Sequence, residues 1–164
     1  MSISEISLNN LLTEILNTKV TIIGDLHDAP NWTHNQEFLV SRLLDKQVLF
    51  GLECPMELLS LSPLVNLIPK DRRFPLVTSY EKDDKEFNKD ITLFLSVYAS
   101  LFKNPFVAVL GYDHLDIQHD KLEVPNITIN QSFNGTTYPG LKEGVYKLDN
   151  LKYLIKGDLS RTFK

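Results

Sequence analysis

Three apolar runs, at residues 19–23, 47–52 and 106–110, each stop at a polar corner, and this pattern narrows the folds open to the chain more than any other feature. The first leads into Ile23-Gly24-Asp25-Leu26-His27-Asp28. The second ends Gly51-Leu52-Glu53-Cys54-Pro55, and the third ends Leu110-Gly111-Tyr112-Asp113-His114. Runs of this length without polar alternation read as strands buried on both faces, the habit of parallel sheets. Between the first two, residues 34–46 carry Phe38, Leu39 and Leu43 at helical spacing. Strand, crossover helix and strand in about 35 residues is the size of a right-handed βαβ unit.

The rest of the chain fits one such layer. Ser7 is placed to cap a helix whose Leu8, Leu11, Leu12, Ile15 and Leu16 share a face. Residues 56–70 predict short helical turns interrupted by Pro63 and Pro69, residues 74–79 a further strand, and residues 83–102 the longest helix. A strand is expected at 124–130. The segments 145–148 and 151–155 flank Asp149-Asn150 and predict an antiparallel hairpin at the sheet edge near the C-terminus. The expectation is one α/β domain over residues 1–164, with a mainly parallel sheet flanked by helices and with 56–102 as a helical segment covering the site.

Composition removes several function classes. The net charge is −4 and the basic residues are scattered, which argues against nucleic acid or an acidic membrane surface as partner. No stretch approaches the roughly 18 apolar residues of a membrane span. The single cysteine, Cys54, has no internal disulfide partner, and the N-terminus has neither secretory nor lipoprotein character, so a cytoplasmic setting is expected. Cys54 reads as a small buried residue where the chain leaves the sheet rather than as a nucleophile.

The chemistry gathers at the strand ends. In open α/β sheets, ligands bind in the crevice beyond the carboxyl ends of the strands. Gly-x-x-His occurs after two different strands, with Glu53 ending the strand between them, and all four histidines (His27, His34, His114 and His119) lie in these loops or the first turns after them. Two imidazoles and a carboxylate in one cleft can hold a divalent metal or supply a general base near neutral pH, and either arrangement activates water.

The segments Gly24 to Gln36, Phe50 to Glu53 and Gly111 to His114 resemble the ChaN-like, TraB/Tiki and erythromycin-esterase superfamily, which is marked by two Gly-x-x-His motifs and an intervening glutamate. His27-Asp28, Pro30 and His34 look most like its haem-uptake branch. Asp25 stands where members carry glutamate. The resemblance implies a parallel sheet with the motifs lining one cleft, and activities ranging from metal-dependent peptide hydrolysis and lactone hydrolysis to haem binding.

The leading expectation is therefore a hydrolase of a small-molecule or peptide substrate, with His27 as base or ligand, Glu53 as its carboxylate partner and His114 as second base or ligand. A divalent ion (Mn, Zn or Co) would sit on His27, Glu53 and His114, with Asp25 and Asp113 as further ligands and Asp28 orienting His27. The alternative is haem or metal binding without hydrolysis, with Tyr112, His114 or His34 as ligand to the haem iron. A third reading takes Asp25-Leu26-His27 and Gly111 to Asp116 as a calcineurin-like metallophosphoesterase, although its Gly-Asp and Gly-Asn-His motifs are missing. The oligomeric state is open.

Overall fold

The computed structural model describes residues 2–25, 30–61, 64–132, 138–149 and 151–163. Its elements in chain order are β1 (Ser4–Ile6), α1 (Leu8–Asn17), β2 (Val20–Asp25), α2 (Pro30–Leu43), β3 (Leu49–Leu52), β4 (Arg73–Pro75) and α3 (Asp84–Leu101). They continue with β5 (Phe106–Gly111), α4 (Leu115–Lys121), β6 (Asn126–Ser132), β7 (Gly144–Asp149), β8 (Lys152–Lys156) and α5 (Leu159–Thr162). Local chemistry explains the helix starts. Ser7 accepts the Asn10 N–H at 3.1 Å and Asp83 accepts that of Glu86 at 2.8 Å, each satisfying an amide that the first helical turn leaves open.

The strands form one eight-stranded sheet in the order β1-β7-β8-β6-β2-β5-β3-β4. From β8 to β4 every neighbouring pair is parallel, and the β7–β8 hairpin is antiparallel, as the sequence predicts. The outermost strand on that side is not the hairpin but β1, antiparallel to β7. Three residues are too few to carry a readable alternation, so β1 had no signature. The run at 74–79 yields only the short β4, residues 56–61 and 70–72 are 3₁₀ turns, and the one long helix described between 56 and 102 is α3.

The connections place the core on both faces. The β2–α2–β3 crossover passes over β5, with Leu39, Val40 and Leu43 of α2 packed beside Leu11 and Ile15 of α1 on one face. The return through α3 and α4 covers the other face, where Ile91 and Leu95 meet Ile22, Phe106 and Ala108. Fully burying one such aliphatic side chain is worth about 1.5–3 kcal/mol, so both helical layers are needed. Because α2 departs from β2 on one face and α4 from β5 on the other, the adjacent ends of β2 and β5 are the switch point of the sheet. There Asp25 pairs with Gly111.

A buried polar relay fixes the β2 side of that point. Gln131 on β6 donates to the Gly24 carbonyl at 2.7 Å. Asn35 on α2 donates to Gln131 Oε1 at 3.1 Å and to the Gly157 carbonyl at 2.9 Å, and accepts the Leu159 N–H at 2.8 Å. Asn35 is wholly inaccessible to solvent, so no water can replace a lost partner. Asn35→Ala is expected to lower stability by about 1–3 kcal/mol. Urea denaturation checks this, and an unchanged midpoint would remove the relay as a structural element.

Candidate functional site

The β5 strand outlasts its neighbour β3. The last register pair on that side is Leu52 with Val109, so the Gly111 N–H lies beyond the end of β3. Glu53, the first residue past β3, turns its carboxylate back and accepts that N–H through Oε2. The glycine keeps this approach uncrowded. A methyl group at Gly111 would sit 3.3 Å from Glu53 Oε2 and 3.4 Å from His114 Cδ2. The other motif glycine serves packing instead. At Gly24, Leu115 of α4 lies against the β2 backbone, leaving 3.0 Å for a Cβ.

His114 completes the pair. It lies on the 3₁₀ turn Tyr112–His114, and its Nε2 stands 3.7 Å from Glu53 Oε1, both side chains largely buried. Its Nδ1 lies 3.0 Å from Asn88 Oδ1, and the Phe87 ring packs 5.4 Å from the imidazole, centroid to centroid. The Tyr80 hydroxyl donates to the Glu53 carbonyl at 3.0 Å. Asn88 and Phe87 lie on α3, within the acidic-basic stretch that reads in sequence as a solvated helix face. Only the buried position of Asn88, which breaks the apolar spacing between Phe87 and Ile91, could have singled it out.

On the opposite flank of the same turn is a cleft of about 540 Å³. Tyr112 and Asp113 form one lip, Leu115 and Leu148 are apolar walls, and Thr128 and Asn130 contribute from β6. Asp116 and Lys152, which also line it, form an ion pair at 3.1 Å. Glu53 and His114 do not line it. The structure thus brings Glu53 and His114 together, while Tyr112 lines the cleft and His114 does not. A 3₁₀ turn rotates successive side chains by roughly 120°, which sends residues two apart to different flanks.

The remaining candidates divide. His27 and Asp28 lie outside the described residues, as does the side chain of Asp25 at the end of β2. His34 is exposed on α2 and does not line the cleft that holds Tyr112. The Asp158 carboxyl nearby is held below the usual range chiefly by the Ser160 hydroxyl, and His34 is the smallest contributor. Asp113 is exposed on the cleft side, away from Glu53. Among the described residues, no three of His, Cys, Asp and Glu gather to hold a metal ion.

Cys54 is buried, and burial, reinforced by the Glu53 charge, pushes its thiol up to about 11. That is the opposite of what a nucleophile needs.

The sequence matches no protein-family model and no curated protein. A structural likeness decides the fold. The solved structure of ChaN of Campylobacter jejuni, which describes cofacial haem binding, superposes with a TM-score of 0.51 over 92% of each chain, at 13% identity. The fold is ChaN-like. At that identity the likeness carries the architecture and not the side chains.

Burial also pushes the Tyr98 phenol up to about 12. Both Cys54 and Tyr98 keep their protons longer in the folded chain than in the unfolded one, so above about pH 9 the unfolded state binds fewer protons. Stability is therefore expected to hold below pH 9 and to fall from there through pH 12. The double variant Cys54→Ala, Tyr98→Phe should show a shallower decline in denaturant titrations across that window, and an identical slope would contradict the assignment.

Proposed function

We propose that the chain binds a haem-type planar macrocycle in the cleft beside the β5–α4 turn, with Tyr112 as the ligand to its iron. The observation that carries this reading is the position of Tyr112, half-exposed at the lip of a cleft of about 540 Å³. That volume falls in the range of small-molecule sites. A tyrosine oxygen is an established haem ligand, and Leu115 and Leu148 offer apolar surface to a macrocycle. Asp113, Asp116 and Asp149 make the rim acidic, so the macrocycle's carboxylates belong towards solvent, with Lys152 as their basic neighbour. The ChaN of Campylobacter jejuni, which shares the fold, binds haem cofacially, and this agrees with the same reading.

A second reading is favoured by a separate observation. Glu53 and His114 are a carboxylate and an imidazole 3.7 Å apart at the switch point, an arrangement that can take a proton from water. Hydrolysis there, with His27 as a further base or ligand, uses none of the cleft residues. A two-metal phosphoesterase needs more ligands than the described residues bring together, and no observation favours it.

Haemin titration separates the readings. A Soret shift is expected on binding. Tyr112→Phe should weaken binding at least tenfold, about 1.4 kcal/mol, while His114→Ala should leave it within twofold because His114 faces α3. No Soret change in the unmodified protein would sink the haem reading. Equal losses in both variants would move the site to the Glu53–His114 flank.

A further inference from the structure

Behind His114 lies a network in which each polar atom has its role set by the next. Asn88 is 5% exposed and Gln118 is inaccessible. The amide nitrogen of Asn88 donates to the Asp84 carbonyl at 2.8 Å, and that of Gln118 donates to the Asn88 carbonyl at 3.0 Å. Carbonyl oxygens only accept, so these two bonds fix which end of each amide is nitrogen. The Gln118 nitrogen then also donates to Asn88 Oδ1 at 3.1 Å, while Gln118 Oε1 accepts the Thr92 hydroxyl at 2.8 Å. Reversing either amide would set nitrogen against nitrogen or oxygen against oxygen, in a place where burial makes such a mismatch costly.

The consequence falls on the imidazole. Asn88 Oδ1 is an acceptor, so the ring nitrogen 3.0 Å from it must carry a proton. In the neutral ring the other nitrogen then carries none. We propose that Asn88 is the positioning residue of this site: it fixes neutral His114 as the Nδ1–H tautomer and presents the Nε2 lone pair to Glu53. Nε2 and Glu53 Oε1, 3.7 Å apart, are then two acceptors side by side. Such a pair takes a shared proton, a cation, or a group that donates hydrogen bonds to both. It does not take an anion or a bare carbonyl. The tautomer is the same whether the chain binds haem, hydrolyses a substrate, or both, since it depends only on the imidazole and the network behind it.

Multiple-bond proton–nitrogen NMR on the uniformly ¹⁵N-labelled chain reads the tautomer directly. The chain has four histidines, and the His114→Gln spectrum assigns the ring by difference. At a pH where the ring is neutral, the expected pattern is a protonated-type Nδ1 and an unprotonated-type Nε2. The reverse pattern in the unmodified protein would overturn the proposal without any variant having to fold.

Two substitutions test Asn88 itself. Both Asn88→Asp and Asn88→Ala lose the donation to Asp84, but only the aspartate keeps an acceptor facing Nδ1. The pattern should survive in N88D and be lost in N88A, with the Nε2–H form appearing. Retention of the Nδ1–H form in a folded N88A protein, or its loss in N88D, would remove Asn88 from the role.

Discussion

Both candidate sites depend on the parallel pairing of β2 with β5, in which Asp25 lies opposite Gly111. That register puts the two Gly-x-x-His motifs at one edge of the sheet, one residue out of step. It also sends the chain from β2 and from β5 towards opposite faces, which opens the crevice between them. The difference in length between β5 and β3 then leaves one amide unladdered, and Glu53 takes it. A strand-end carboxylate that looks in sequence like a catalytic signature is thus, in the first place, a replacement for the missing strand. The same bond holds it next to His114.

The sheet was legible because its strands are buried on both faces and so carry unbroken apolar runs. The hairpin followed from two short runs around Asp149-Asn150, and the strand ends alone singled out Glu53 and His114 as candidates. What failed to show has specific causes. Asn88 is hidden by its company: the charged residues around it report a solvated face, while its own position turns inward against Gln118. The division between Tyr112 and His114 is a matter of turn geometry, and a motif that counts residues says nothing about which way a 3₁₀ turn points them. His34 sits in a motif-like segment yet faces outwards, while the Asn35 that follows it on α2 is buried.

A ChaN-like architecture leaves the choice of chemistry to the loops and turns. In this chain one turn of three residues supplies two different surfaces: an acidic, partly apolar cleft on the Tyr112 side and a closely coupled carboxylate and imidazole on the His114 side. Leu115, the next residue, is the wedge between them, with its methyl groups seated over the Gly24 backbone.

The small strand β1 carries a consequence for how the molecule assembles. Ser4 to Ile6 pair with Lys147 to Val145, joining segments more than 130 residues apart in sequence. Among the described strands β1 comes first and its partner β7 next to last, so their pairing waits until the chain between them has been made. Until then the central strands must stand with β6 as an open edge, a surface able to recruit strands from other chains. Closure of that edge is a late, long-range event whose entropy cost is met only when the final hairpin docks. The β7–β8 hairpin thus decides whether β6 is covered or is left as a template for aggregation.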